Sequence, residues 1–155
     1  YDFRDIRDFQ WYLNKNFYTS YNLFLKFMNE LKKNKGNIIF ISSIASERDL
    51  NAPFGYACSK LLLNKLSNYI AKRYSSFGVK SNVVLPGNIL HPSSSWNRKL
   101  KKNKSKIMKE IKKNVPMNKF GEAKDIANLV TFLLSDRSKF INGSEIVADG
   151  GQSIK

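Results

Sequence analysis

The stretch NIIFIS, residues 37–42, decides the fold class of this chain. It is a short apolar run rich in β-branched residues, which is typical of a strand buried on both faces of a sheet. Two further strands are predicted: VKSNVVLP at residues 79–86, stopped by Pro86-Gly87, and SEIVAD at residues 144–149, before Gly150-Gly151. The sequence therefore predicts three strands separated by long connections.

Helical patterns fill the segments between these strands. Residues 8–35 and 56–75 carry apolar side chains at helical spacing, and residues 124–135 form another amphipathic pattern. The basic residues 96–114 are also expected to be helical. Helix and strand thus alternate, with connections too long for hairpins, and this order predicts an α/β fold with a parallel sheet covered by helices.

In open sheets of this kind, binding sites form outside the carboxyl ends of the strands. Ser42 and Ser43 lie at the end of the first predicted strand, and Pro86 and Gly87 lie at the end of the second. Asp149 ends the third. Because the ends of parallel strands meet at one edge, we expect the functional side of the molecule there.

Composition narrows the class of protein. A length of 155 residues with 42% hydrophobic content suits one folded domain. The single cysteine, Cys58, excludes an intramolecular disulfide and a cysteine-based zinc site, and it fits a reducing, cytoplasmic setting. No apolar run reaches the roughly 20 residues that a membrane helix needs, so no membrane partner is expected.

The chain is strongly basic, with 27 Lys and Arg against 12 Asp and Glu. Such an excess occurs in proteins that bind nucleic acid, anionic membranes or acidic proteins. Here the basic residues are scattered over several segments, and only residues 98–113 concentrate them. Two interpretations stay open for that segment: a solvated helix face, and a surface that recognises an anionic group.

The motif YACSK, residues 56–60, places Tyr56 and Lys60 one helical turn apart on the same face. A phenol has a reference pKa of about 10 and is a poor base at neutral pH, whereas a nearby ammonium favours its phenolate. We therefore expect Tyr56 to exchange a proton with a carbonyl or alcohol oxygen. Ser43, just beyond its strand, is expected to donate a hydrogen bond to the same oxygen. Taken alone, this spacing is a weak signal in a chain rich in Tyr and Lys.

The surrounding pattern is more specific. Ser43 in FISSIAS precedes Tyr56 by 13 residues, and NVVLPGNI follows the helix. NVPMNKFGEAKDIANLVTFLLSDRSKFINGSEIVADGGQS then runs toward the C-terminus. In this combination the chain resembles the short-chain dehydrogenase/reductase family from about Asp8 onward. The resemblance implies a Rossmann-type doubly wound parallel sheet, of which this chain would hold the last three strands with their helices.

The resemblance also implies roles for single residues. Tyr56 would be the catalytic acid/base, Lys60 would assist it and hydrogen-bond the nicotinamide ribose, and Ser43 would orient the substrate oxygen. Asn16, in LNKNFY, matches the helix asparagine of the family's catalytic set and would support a water-mediated proton relay through Lys60. Asn14 is the alternative assignment, and a solvated polar position is the alternative role.

The stretch PGNI matches the family segment whose backbone contacts the nicotinamide carboxamide, although Pro86-Gly87 alone also suits a strand stop. Ile89 is the expected contact through its main chain. His91 stands where the family often has a threonine bonded to the cofactor; it would donate the same bond, face the substrate or lie in a solvated loop. The cofactor implied is NAD or NADP. The predicted cofactor-binding set is Tyr56, Lys60, Pro86, Gly87, Ile89 and His91.

The family's glycine-rich turn and its Asn-Asn-Ala-Gly segment have no counterpart in this sequence. Residues 1–155 are therefore interpreted as the C-terminal catalytic portion of a single domain. The predicted function is NAD(P)-dependent interconversion of a carbonyl and an alcohol on a small-molecule substrate, anionic if residues 98–113 take part. A homodimer or homotetramer is expected when the domain is complete. The alternatives are a catalytically inactive fragment and a basic module that binds an acidic partner; nucleic acid is not the expected partner.

Overall fold

A computed structural model describes residues 6–154, with side chains from Asp8 onward. The helices are α1 (Ile6–Tyr12), α2 (Thr19–Lys33), α3 (Phe54–Tyr74), α4 (Ser95–Lys102), α5 (Lys104–Asn114) and α6 (Ala123–Leu134). The strands are β1 (Asn37–Ile41), β2 (Lys80–Pro86), β3 (Ile89–Leu90), β4 (Gly121–Glu122) and β5 (Glu145–Ala148). The predicted alternation of helices and long strands is confirmed, whereas the two-residue strands β3 and β4 were not predicted.

Three strands form a parallel sheet in the order β1-β2-β5. Ile41 lies beside Val84, and Val83 lies beside Glu145. β2 is central, and its residues 81–85 are all buried. The predicted parallel sheet is confirmed, and the carboxyl ends of its strands lie at one edge.

β1 lies at the edge of this sheet and is less buried than its apolar sequence predicts. Phe40 is buried, whereas Ile41 is 42% exposed. Within residues 6–154, β1 pairs only with β2, so the backbone groups of its other edge have no strand partner. Within β1 only Phe40 is buried, and the prediction that the strand is buried on both faces is wrong for this chain.

The predicted helix over residues 8–35 is confirmed as far as Lys33, but it is not uniform. A π-helical segment, Leu13–Tyr18, joins α1 to α2 without a break. Turns of π-helix inside α-helices are rare and occur frequently at functional sites. Both candidate asparagines, Asn14 and Asn16, lie in this segment.

Two apolar clusters hold the elements together. The larger joins α2 and α3 to the sheet, and its buried members are Phe24, Phe40, Ile44, Leu63, Leu66, Ile70, Val79, Val83 and Leu85. The smaller supports α4 and α5, and its buried members are Ile107, Ile111, Val115 and Phe120. The basic helical segment therefore rests on a core of its own, beside the one that supports the sheet.

At the amino edge of the sheet, side chains of β1 and β2 form hydrogen bonds with the region around the end of α6. The Asn37 amide donates to the carbonyl of Leu133 at 2.7 Å, and the Lys80 ammonium donates to the carbonyl of Ser138 at 2.9 Å. These bonds tie β1 and β2 to the end of α6 and to the 3-10 turn Asp136–Ser138 that follows it. Within residues 6–154, no helix combines the length and the apolar character needed to cross a bilayer.

Candidate active site

The predicted Tyr–Lys pair lies at the carboxyl end of β1. Tyr56 is in the first turn of α3, and Lys60 follows one turn later. The Lys60 Nζ donates a hydrogen bond to the main-chain carbonyl of Ile41, the last residue of β1, at 2.9 Å. The same Nζ lies 5.7 Å from the centroid of the Tyr56 ring. The structure therefore brings both side chains to the edge of the sheet where the sequence predicted them.

Burial sets the electrostatics of this pair. Desolvation lowers the pKa of Lys60 below its usual value of 10.5, because removing an ammonium from water disfavours the charged form. An ammonium has three N–H donors, and the bond to Ile41 uses one of them. Lys60 can therefore bind Ile41 and still donate to a hydroxyl group beside Tyr56.

Two consecutive serines follow β1 and have different tasks. Ser42 is buried, and its hydroxyl donates to the main-chain carbonyl of Lys60 at 3.1 Å. Ser43 caps a short 3-10 turn, Ile44–Ser46, and its Oγ accepts the backbone N–H of Ala45 at 3.2 Å. Because Ser43 Oγ is an acceptor in that bond, its hydroxyl hydrogen stays available for another group. Ser42 ties the strand end to α3, and Ser43 presents a donor.

Asn16 approaches the site through Ser59. Its Nδ2 donates to Ser59 Oγ at 2.9 Å, and Ser59 Oγ donates to the carbonyl of Tyr56 at 2.7 Å. The alternative, Asn14, is exposed and accepts a bond from Gln10 at 3.0 Å. The contacts therefore favour Asn16 over Asn14 as the residue that supports Tyr56. The water-mediated relay through Lys60 stays a prediction.

Pro86 and Gly87 lie where β2 meets the end of β5. The Gly87 N–H donates to the carbonyl of Ala148 at 3.1 Å. A Cβ atom at Gly87 would lie 2.6 Å from the Cβ and 2.8 Å from the Cα of Asp149. The close approach of the two backbones thus requires glycine here. The strand-stop interpretation has a structural basis, and the contact with nicotinamide stays a prediction.

Ile89 and His91 lie farther along the same edge. Ile89 pairs with Gly121 and, with Asp149, lines a cleft of about 190 Å³. His91 is exposed, and its carbonyl accepts the hydroxyl of Ser94 at 2.8 Å. Within the described side chains, no hydrogen bond or ring contact joins Ile89 or His91 to Tyr56 or Lys60. The catalytic candidates thus gather at β1, and the cofactor candidates extend from β2 to β3.

Sequence reasoning missed three residues on, or packed against, the helix that carries Tyr56. Ser59 and Asn64 are fully buried polar residues of α3, and the Tyr12 ring packs edge-on against Tyr56 with centroids 5.8 Å apart. The sequence itself indicated two of them, Ser59 and Asn64. Ser59 lies inside the YACSK motif, and Asn64 follows Lys60 by one helical turn in an otherwise leucine-rich stretch.

The chain is similar in sequence to known proteins. A family model described as enoyl-(acyl carrier protein) reductase matches residues 4–153. Among curated relatives, 2-keto-3-deoxy-L-fuconate dehydrogenase of Xanthomonas campestris is 34% identical over 79% of this chain. The 7alpha-hydroxysteroid dehydrogenase of Paraclostridium sordellii is 31% identical over 91% of it. The chain spans about half the length of these relatives, 42% and 52% respectively.

Solved structures show the same likeness. An oxidoreductase of the short-chain dehydrogenase/reductase family from Burkholderia thailandensis has a TM-score of 0.88 at 25% identity, over 97% of this chain and 58% of its own. A 4-hydroxyisoleucine dehydrogenase mutant complexed with NADH and succinate has a TM-score of 0.83 at 26% identity, over 95% of this chain and 60% of its own.

Proposed function

The chain belongs to the short-chain dehydrogenase/reductase family, and from this premise we propose that it is the catalytic portion of an NAD(P)-dependent oxidoreductase. The reaction is the interconversion of a carbonyl and an alcohol by hydride transfer. Residues 1–155 would form the C-terminal part of one domain, and the complete protein is this chain together with the residues that adjoin it.

One observation supports the proposal most. The Lys60 ammonium is held at the carbonyl of Ile41 and lies 5.7 Å from the Tyr56 ring centroid. A phenol beside a buried amine at the open edge of a parallel sheet is suited to proton exchange with a substrate oxygen. The packing of α3 on the sheet would not by itself require a lysine whose ammonium contacts the end of β1.

In the reducing direction, the Tyr56 hydroxyl donates a proton to the carbonyl oxygen of the substrate. Lys60 stabilises the phenolate that remains, because an ammonium favours a neighbouring anion. Ser43 donates its free hydroxyl hydrogen to the same oxygen and orients it. Asn16 and Ser59 hold the backbone of Tyr56 in place. The nicotinamide cofactor, when bound, supplies the hydride; in the oxidising direction the same residues act in reverse.

The residues present fit one end of such a cofactor. Lys60 retains N–H donors for a ribose hydroxyl, and the backbone from Gly87 to Ile89 lies at the same edge of the sheet. A pyrophosphate is bound in these folds by a glycine-rich turn before a helix N-terminus, and this sequence has no such turn. We therefore assign the nicotinamide end to this chain and the rest of the cofactor to adjoining residues.

The test is Tyr56→Phe in the complete protein, assayed by NAD(P)H absorbance with a panel of aldehydes, ketones and alcohols. The variant loses the proton donor and keeps the ring that packs on Tyr12, so turnover should fall by about 10²- to 10⁴-fold while cofactor affinity is unchanged. Tyr69→Phe, an exposed tyrosine of the same helix, is the matched control. Undiminished turnover in Tyr56→Phe overturns the mechanism.

The basic helices favour an anionic substrate. The segment 95–114 contains nine basic residues and one acidic residue, and all nine basic side chains are exposed. Between the described side chains, none of the nine forms an ion pair. The segment follows β3 after residues 91–94, so along the chain it adjoins the cofactor candidates Ile89 and His91. We propose that they attract a carbonyl compound bearing a phosphate or carboxylate group.

Charge-reversal variants distinguish attraction of an anionic substrate by these basic residues from a merely solvated helix face. In the complete protein, Lys101→Glu/Lys102→Glu should raise KM for an anionic substrate, reduce the salt dependence of kcat/KM and leave kcat unchanged. Lys72→Glu/Lys139→Glu alters the same number of exposed charges away from the cleft at Ile89 and should change neither value. Equal behaviour of the two pairs contradicts the proposal. Polyanion binding without any turnover would favour the basic binding module instead.

A further inference from the structure

Asn64 is a polar residue in a place where packing alone favours an apolar one. It is fully buried in α3, between Leu63 and Leu66 of the main core. It follows Lys60 by four residues and Tyr56 by eight, so the three share one face of the helix. Its Oδ1 has no hydrogen-bond partner in the described part of the chain. A buried unsatisfied oxygen is costly, whereas the other amide atom of Asn64 has several acceptors within reach.

The Asn64 Nδ2 lies at the centre of a polar cluster. It is 3.1 Å from Ser46 Oγ, 3.2 Å from Glu47 Oε1 and 2.8 Å from Glu145 Oε2. Ser46 Oγ in turn donates to the main-chain carbonyl of Ser43 at 2.7 Å. A path of two hydrogen bonds therefore leads from the helix that carries Tyr56 and Lys60 to the backbone of Ser43.

We infer that Asn64 is a positioning residue, which holds the Ser43 turn in a fixed place relative to Tyr56 and Lys60. This inference rests on the proposed function, because it is that function which requires Ser43 and Tyr56 to meet one substrate oxygen. Ser42 makes the neighbouring tie, through its bond to the carbonyl of Lys60. The strand end is thus fastened to α3 by Ser42, and the turn beyond it is fastened by Asn64.

Glu145 connects the polar cluster to β5, in addition to α3 and the Ser43 turn. It is the first residue of β5, and its carboxylate accepts bonds from both Asn64 and Asn68. Only Asn64 also contacts the Ser43 turn. Asn68 is therefore a matched control, because it is an asparagine of the same helix with the same carboxylate partner and no link to Ser43.

The experiment compares Asn64→Leu, Ser46→Ala and Asn68→Ala in the complete protein. For Asn64→Leu and Ser46→Ala we expect kcat to fall at least tenfold, with cofactor affinity unchanged. The double variant should lose no more than the more severe single variant, because both break the same path. Asn68→Ala should keep the wild-type kcat. A merely structural role would lower the melting temperature and leave the kcat of the folded protein intact.

Amide hydrogen exchange tests the same inference without reference to activity. The N–H groups of Ala45 and Ser46 are bonded to Ser43 at 3.2 and 3.0 Å. In Asn64→Leu they should exchange at least tenfold faster, while Val83 and Val84 in β2 keep their protection. Unchanged exchange at Ser46 overturns the inference, as does an unchanged kcat. If the wild-type protein reduces no carbonyl compound, the proposed function fails. Amide exchange at Ala45 and Ser46 then decides by itself whether Asn64 holds the Ser43 turn in place. If Asn64→Leu does not fold, Ser46→Ala gives the decision.

Discussion

The Lys60 ammonium donates to the carbonyl of Ile41 at 2.9 Å, and this bond joins the helix that carries Tyr56 to the last residue of β1. The carbonyl satisfies one donor of a cation that the fold removes from water. The remaining desolvation lowers the pKa of Lys60. The contact with Ile41 thus sets the position of the proposed catalytic lysine, and burial sets the direction of its pKa shift.

That burial predicts a pH dependence of stability. Between the lowered pKa of Lys60 and its usual 10.5, the unfolded chain binds more protons at this site than the folded chain does. The contribution of Lys60 to the free energy of unfolding should therefore increase as pH rises through that interval. Urea unfolding of the complete protein at several alkaline pH values should show this increase, and Lys60→Met should lack it. Lys65→Met, an exposed lysine of the same helix, should behave as wild type, and parallel curves for all three proteins would contradict the prediction.

Gly87→Ala tests the close approach of β2 and β5. The new Cβ would lie 2.8 Å from the Cα of Asp149, and backbone atoms cannot move aside as a flexible side chain can. We expect the free energy of unfolding to fall by about 1–3 kcal/mol, as for other overpacked sites, measured from the urea midpoint. Asn88→Ala, at the next position, should cost less. Equal stability of the two variants would show that the strand ends separate easily.

The 155-residue chain by itself should bind neither NADH nor NADPH with micromolar affinity. Lys60 and the backbone around Ile89 reach only the nicotinamide end, and the sequence lacks a glycine-rich turn for the pyrophosphate. The open side of β1, with Ile41 exposed, should also promote non-native association. Fluorescence titration of the purified chain with each nucleotide is the measurement, and the complete protein is the positive control. Saturable binding by the chain alone would refute the assignment of the pyrophosphate to adjoining residues.

A dimer or tetramer is expected for the complete protein. Trp11, Tyr18 and Leu25 lie on the helical stretch that includes α1 and α2, and they are 54%, 43% and 47% exposed. On α3, Leu62 and Tyr69 are also exposed. Large apolar side chains left exposed on these helices favour a partner surface. Sedimentation of wild type and of Leu25→Glu/Tyr69→Glu should show a fall in mass in the variant, and a monomeric wild type at micromolar concentration would exclude the assembly.

The sequence by itself determined the local elements and the local part of the site. The β-branched runs predicted β1, β2 and β5, and the repeat of apolar residues predicted the helices, because the periods of strand and helix are written directly along the chain. The same reasoning places Tyr56 and Lys60 on one face, since they lie within one helical turn. Ser43 was found because it follows a recognisable strand end.

Only the tertiary structure decided which groups these residues meet. Lys60 bonds to Ile41 across 19 positions, Asn16 to Ser59 across 43, and Asn64 to Glu145 across 81. Such contacts depend on the register of β1, β2 and β5 and on how α3 packs over them, and no local period encodes either. The exposure of Ile41 has the same origin: an apolar run predicts a strand, and only the tertiary structure shows which of its side chains stay exposed.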